Sequence, residues 1–314
     1  MNKKEPGIIN SELPAETAIF EIRSDIEAIE KNSLCCEEKN FAMRMEMMDL
    51  IGFHVIDQLE ELIQKTTQPD QLVLLKYRAE KIKDELEEID INLFQKLRAN
   101  ISAGYTGKGF KDLVNEYIDL NSYSNEHPEE GYDNLDLFIN GLMPLQTMPE
   151  QTKDLEPEMV YYQKTPARIV FELVEKSHFM KEDVFFDLGS GLGQVAILVN
   201  LLTGITVKGI EFEPAFCNYA KGCAAELNLT HLEFINVDAR KADYSEGTIF
   251  FMFTPFRCEM MQEVLEMLRK EALRRKIKII TYGPCTARVA LQNWLCPLAP
   301  IDDNIYKPGF FTSL

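Results

Sequence analysis

The 314-residue sequence contains no run of about 18 apolar residues, so no helical membrane span is expected. Histidine is scarce: His54, His127, His178 and His231 lie far apart, which leaves no metal-ligand spacing and no expected metal. The seven cysteines are an odd number without regular spacing, and Cys35 and Cys36 are adjacent; a disulfide framework is excluded, and reduced thiols in a cytoplasmic protein are the expectation. The opening Met-Asn-Lys-Lys-Glu-Pro-Gly leads into no apolar stretch, so no secretory leader is expected. Positive charge is also in short supply, with 33 Lys and Arg against 51 Asp and Glu. What is present in ordinary amount, 46% apolar and 27% charged residues, excludes wholesale disorder and allows a sizeable core. The length suits about two domains of 100–200 residues.

The net charge of −18 is unevenly spread. Up to residue 150 there are 15 basic and 30 acidic residues, net −15; beyond it there are 18 and 21, net −3. An acidic half repels phosphate backbones, so no nucleic-acid partner is expected, and no membrane partner either. Two readings of that half stand side by side. It attracts a basic protein or peptide, or it is a solvated helical surface that keeps the protein soluble.

The first half has helical periodicity. Ile19, Ile22, Ile26 and Ile29 form one stripe; Met48, Ile51, Val55, Leu59 and Leu62 form a second; Leu72, Leu75, Ala79, Ile82, Leu86, Ile89 and Leu93 form a third. Gln68-Pro69-Asp70 separates the last two, and a short helix is expected around Phe110–Leu120. Asn125 to Gly131, Met143-Pro144, Met148-Pro149 and Glu156-Pro157 punctuate a linker, with one short helix at Asp136–Leu142. After Met159 short apolar strands alternate with helices: strands at 184–186, 206–210, 232–237, 248–253 and 277–282, helices at 194–202, 215–227, 260–271 and 287–294. Thr165-Pro166 suits the cap and first position of a helix before the first strand. The fold class expected is therefore α/β, a Rossmann-like and mostly parallel sheet with helices on both faces, preceded by an α-helical region. The expected division is residues 1–120 acidic and helical, 121–158 linker, and 159–314 α/β; Leu298–Leu314 adds one or two terminal strands.

The chemistry concentrates in Val184-Phe185-Phe186-Asp187-Leu188-Gly189-Ser190-Gly191-Leu192-Gly193-Gln194. A glycine-rich turn from a buried strand into a helix lets a ligand approach the backbone. Glycine spacing alone is weak evidence, but Glu211 ends the second strand 22 residues beyond Gly189, placed for the two hydroxyls of a ribose. The sixth fingerprint position is Gln194 instead of the small residue that pyrophosphate binding favours, and Asp187 would repel a diphosphate. A cationic, phosphate-free nucleoside suits these residues better than a nicotinamide dinucleotide. S-adenosylmethionine, with an ammonium and a sulfonium, is such a ligand.

Asp187-Leu188-Gly189-Ser190-Gly191-Leu192-Gly193 resembles motif I of the class I S-adenosylmethionine-dependent methyltransferases, and the resemblance extends over about Tyr161–Trp294. It implies that Asp187, Gly189, Ser190, Gly191, Gly193, Gln194 and Thr165 surround the cofactor. Glu211 would hold the ribose, and Asp238 with Ala239 would read the adenine. Together with Tyr161-Tyr162-Gln163-Lys164-Thr165-Pro166, the motif is similar to protein-lysine methyltransferases of the non-SET histone type and of the small organellar and archaeal type. Members that methylate amides or adenine carry Asn/Asp-Pro-Pro-Tyr after the fourth strand; this chain has Phe253-Thr254-Pro255-Phe256, which disfavours those targets. The reaction implied is in-line displacement at the sulfonium methyl. Tyr162, Thr254 and Tyr282 are the expected channel and catalytic residues, and the acceptor is a lysine amine desolvated among aromatic rings. A small-molecule methyltransferase and a non-catalytic binding module on the same fold remain as alternatives.

Other local patterns carry less. Gly104-Tyr105-Thr106-Gly107-Lys108-Gly109 lacks the residues of a phosphate loop and reads as a turn; Cys217 and Cys223 read as packing residues, and Met43, Met45, Met47 and Met48 as core filler or an adaptable surface.

Overall fold

The computed structural model of the chain describes residues 15–120, 131–145, 147–301 and 304–314. The residues read above as the start of the chain, and Asn125–Glu130 of the expected linker, lie outside the described residues. Contacts divide the chain into two compact units, one up to Leu93 and one from Phe94.

In the first unit the 3-4 apolar spacing produces the expected helices. α1 (Ala15–Lys31) buries Ile22, Ile26 and Ile29. α2 (Phe41–Asp49) runs through a π-helical segment, Leu50–Ile56, into α3 (Asp57–Lys65). Ile51, Val55 and Leu59, four apart, are all fully buried. α4 (Asp70–Ser102) contributes Leu72, Leu75, Ala79 and Leu86 to the same core, against which Met43, Met47 and Met48 pack as filler. Arg44 is fully buried and pairs with Asp90 at 2.6 Å, while its other donors reach the carbonyls of Cys35, Glu37 and Glu38.

The division falls inside α4, not at the expected residues 120 and 158. The reason is packing that periodicity does not reveal. Beyond Leu93, α4 belongs to the second unit: Phe94 meets Phe138 edge-on, Arg98 donates to the Gly141 carbonyl, and a Cβ at Gly141 would lie 2.1 Å from the Phe94 ring. α5 (Lys108–Asn115) and α6 (Asn134–Leu142) bury Phe110, Val114, Leu135 and Ile139. Gly104–Gly107 lies in the turn between α4 and α5, and Lys108 and Gly109 open α5.

α7 (Ala167–Ser177) starts later than Thr165-Pro166 suggests, with Pro166 at the cap position and no side-chain cap from Thr165. The Ala167 N–H is satisfied instead by Asp136 Oδ1, 2.8 Å away, a buried carboxylate that also closes the capping box of α6 with Asp133. A tertiary contact has replaced a local one.

The sheet comprises β1 (Val184–Leu188), β2 (Thr206–Glu211), β3 (Leu232–Asn236), β4 (Ile249–Phe253), β5 (Lys278–Tyr282), β6 (Leu295–Pro297) and β7 (Gly309–Ser313) in the order 3-2-1-4-5-7-6. The first five are parallel; β7 is antiparallel to both of its neighbours. The dinucleotide-binding order 3-2-1-4-5-6 lacks such an antiparallel insertion. Parallel strands between helical layers must be apolar on both faces, which is why Phe185, Phe186, Phe250, Phe251, Ile279 and Ile280 are all buried. The crossovers are α8 (Gln194–Thr203), α9 (Pro214–Glu226) and α10 (Cys258–Ala272); α11 (Cys285–Ala290) starts two residues before and ends four before the expected 287–294, and Leu295–Pro297 pairs with β7. Strand order reverses between β1 and β4, and a crevice opens there at the strands' carboxyl ends.

Candidate active site

A cavity of about 190 Å³ occupies that crevice. Its floor is the β1 turn with Asp187, Gly189, Ser190, Gly191 and Gln194; Glu211 lies on one side, Asp238 and Ala239 beyond it, and Phe253, Thr254, Pro255 and Phe256 on the other. Gly193 and Tyr282 of the expected set are not among its lining residues.

Among the described residues, three buried side-chain atoms have no hydrogen-bond partner: Asp187 Oδ2, Ser190 Oγ and Gln194 Oε1. All three residues line this cavity. Unsatisfied buried acceptors are costly, so their concentration in one cavity points to a ligand that donates hydrogen bonds or carries positive charge. Asp187 accepts from the Ala196 N–H at the start of α8, yet burial, followed by the charge of Glu211, pushes its pKa up to about 8. Burial also raises the Glu211 carboxyl, against the hydrogen bonds it accepts: Gly191 N–H to Oε2 and Glu213 N–H to Oε1, each 2.7 Å. Two buried carboxylates and no buried cation make the cavity a host for a cation and hostile to a diphosphate. The residues therefore fit S-adenosylmethionine.

The glycines serve the packing of the protein as much as access to a ligand. All three have positive φ, and a Cβ would meet Pro255 at 2.5 Å over Gly189, the Tyr162 ring at 2.3 Å over Gly191, and Phe234 and Ala220 behind Gly193. The close approach expected from a ligand is made at these positions by side chains.

A strap formed by residues 151–165 roofs the cavity, contributing Gln151, Leu155, Met159, Tyr162 and Thr165. Near one end Glu213 holds it: the Thr152 hydroxyl donates to Oε1 and the Lys153 N–H to Oε2 at 2.8 Å. Near the other, Met159 bridges to Phe256, Val160 N–H donates to the Pro255 carbonyl, and Arg257 N–H to the Glu158 carbonyl. Glu158 also accepts from Met260 N–H at the start of α10. Gln194 secures the strap's end through a 3.1 Å bond to the Thr165 carbonyl. Glu213 and Glu158 escaped the sequence reading because nothing local distinguishes them from other surface-type glutamates.

Three expected residues have other bonds than those foreseen. Asp238 is clamped by Arg240, whose Nε and Nη2 reach both carboxylate oxygens at 2.6–3.1 Å and whose Nη2 also reaches Glu156 at 2.8 Å. These bonds hold the Asp238 carboxyl below its ordinary range. Thr254 is buried with a left-handed φ of 40°, and its hydroxyl accepts from Cys285 N–H at 3.1 Å, tying the end of β4 to the end of β5. Tyr282 stands behind the cavity wall, its ring 4.7 Å from that of Phe253. Tyr162 and Thr254 of the three expected channel residues line the cavity, the Tyr162 ring packed edge-on to Phe216. Burial raises the phenols of both Tyr162 and Tyr282, which keeps them protonated near neutrality and unsuited as bases.

Residues 155–252 match the family profile described as "Histone methylation protein DOT1". The second unit is a class I S-adenosylmethionine-dependent methyltransferase. Its cofactor is S-adenosylmethionine. The profile match takes in the strap from Leu155 onward and the carboxylates at 187, 211 and 238 and stops before Thr254. Solved structures with related folds include an RNA methyltransferase from Salinibacter ruber in complex with S-adenosyl-L-homocysteine (21% identity, TM-score 0.38, 48% of this chain and 92% of that one). Another is a SAM-dependent methyltransferase from Aquifex aeolicus (17% identity, TM-score 0.38, 48% and 93%). No curated protein matches the chain. Among the described residues no helix is long and apolar enough to cross a membrane, and no cluster suits a metal ion.

Proposed function

We propose that the methyltransferase carries a methyl group from S-adenosylmethionine to a lysine amine of a basic protein in the cytoplasm. The observation that carries the cofactor side is the set of unpartnered buried acceptors beside two buried carboxylates. The family match to histone methylation proteins and the lack of an amide-binding sequence after β4 support the lysine side.

When bound, S-adenosylmethionine supplies a methyl group activated for in-line displacement. The chain's own residues do the rest. Asp187 and Gln194 are placed to receive the ammonium, Glu211 the ribose hydroxyls, and Asp238 with Ala239 the adenine edge. Tyr162, Phe253 and Phe256 desolvate the incoming amine, which favours its neutral, nucleophilic form. No strong base is required, in keeping with tyrosines whose phenols stay protonated. Thr254 shapes the wall, its hydroxyl held by Cys285 N–H.

Calorimetry with S-adenosylmethionine tests the site. Glu211→Ala, which removes the one carboxylate held between Gly191 and Glu213, is expected to weaken binding by at least about tenfold, the value of one lost charge-assisted hydrogen bond. Unaltered affinity in a folded variant would refute the assignment. Transfer of labelled methyl to lysine-containing peptides, absent when lysine is replaced by arginine, tests the acceptor.

A further inference from the structure

The turn after β4 borders two adjoining spaces. Next to the cofactor cavity lies a groove of about 580 Å³ lined by the β4–α10 and β5–α11 connections. The two share Thr254, Phe256, Arg257 and Pro284 as a common wall. Buried Phe256, Met261 and Cys285 line the groove with apolar surface, and exposed Arg257 and Arg288 stand at it.

These arginines are exceptional in their unit. Arg240, Arg269, Arg274 and Arg275 hold carboxylates, Arg98 holds the Gly141 carbonyl, and Arg168 also has a partner. Among the described residues, the guanidinium groups of Arg257 and Arg288 have none. The unit carries 22 basic and 30 acidic residues, so carboxylates to pair with are plentiful. Glu259, which also lines the groove, is in no ion pair with either arginine. The groove's lining is held under strain: Thr254 of the shared wall and Cys258 beyond it both have left-handed φ, 40° and 44°, which is unfavourable for a β-branched residue above all. Such conformations persist where surrounding contacts impose them, and they cluster at functional sites.

We propose that this groove receives the methyl acceptor and that Arg257 and Arg288 read a carboxylate carried beside the accepting nitrogen. The proposal rests on the methyl-transfer reading above and adds the chemistry of the acceptor's flank. A guanidinium fork is matched to a carboxylate, and two of them on an apolar groove favour an acidic side chain next to the lysine over a neutral one.

The test uses the full chain with S-adenosylhomocysteine present and two short fluorescent peptides, each with a central lysine, one flanked by Glu and the other by Gln. Anisotropy is expected to show the Glu peptide binding about tenfold more tightly. The preference should fall to near unity in Arg257→Ala/Arg288→Ala and return in part in Arg288→Lys, with thermal melting reporting that each variant is folded. Equal affinities, a preference that survives the double substitution, or binding of neither peptide would overturn the proposal. Calorimetry with S-adenosylmethionine on the same preparation separates the failures: heat without peptide preference sinks the groove alone, and no heat sinks the methyl-transfer reading beneath it.

Discussion

Asp187 shows how one residue sets the behaviour of the cofactor cavity. It ends a strand that must be apolar to be covered on both sides, so its carboxylate is 3% exposed and pays desolvation that one N–H from Ala196 does not offset. With a pKa of about 8 against an ordinary 3.8, the free protein holds a proton there at neutral pH. A ligand ammonium favours the ionised form, so binding releases that proton. Affinity for S-adenosylmethionine is therefore expected to rise with pH up to about 8 and level off above it; calorimetry in buffers of different ionisation enthalpy should find close to one proton released at pH 7 and none at pH 9. The stability of the free protein runs the opposite way. Because the folded pKa lies above the unfolded one, the contribution is full at acid pH and is lost as pH rises toward 8. Asp187→Asn should thus melt higher than wild type above pH 8 while losing both the pH dependence and most of the affinity. An affinity that ignores pH would show that Asp187 is not the ammonium's partner. Asp187 was visible in the sequence because its position before the glycines is fixed by strand and turn. Tyr282, which does not line the cavity, shows the converse: the sequence puts it at a strand end, but which way an end residue turns depends on contacts such as that with Phe253, made only after folding.

Strands and helices were legible to within a few residues where burial is two-sided or periodic, as in β1, β4 and the start of α4, whose end lies nine residues beyond the stripe that closes at Leu93. The strap was not, since a segment without periodicity reads as linker whether it is free or stitched down. Its anchors are single polar bonds across long sequence separations, 61 residues from Thr152 to Glu213 and 102 from Glu158 to Met260. Asp136 capping α7 from 31 residues away, in place of Thr165, is the same effect at a helix start. Glu213 carries the most of these bonds, accepting from Thr152, Lys153 and Ala215, and at 2% exposure it has little access to water. Glu213→Ala removes the acceptor that ties Thr152 and Lys153 down and loses the cap of α9, a loss of about 1–2 kcal/mol at the cap alone. The strap should then open locally while the sheet stays intact. Hydrogen exchange at Lys153 is expected to accelerate about tenfold or more with β1 amides unchanged, together with faster release of S-adenosylmethionine. Equal acceleration in β1 would mean that the substitution unfolds the unit instead of releasing the strap.

At the scale of the whole chain, the contact boundary redistributes the charge. Up to Leu93 there are 11 basic and 21 acidic residues, net −10; from Phe94 there are 22 and 30, net −8. Both units are acidic, the first more densely; on the reading proposed above, that field draws in cationic partners from a distance while Arg257 and Arg288 select locally for a carboxylate. These act over different ranges: the field is screened beyond a Debye length of about 10 Å at 0.1 M salt and about 3 Å at 1 M, whereas a guanidinium in contact with a carboxylate is screened much less. The substrate proposed here, to satisfy both, is cationic overall and carries an acidic residue beside its lysine. Methyl transfer measured across that salt range should show KM rising severalfold for a peptide of net positive charge, falling or standing still for one of net negative charge, and little change in kcat for either. The advantage of a Glu flank over a Gln flank should persist at high salt when peptides of equal net charge are compared. If KM for the cationic peptide is indifferent to salt, the acidic surface serves solubility and takes no part in substrate capture.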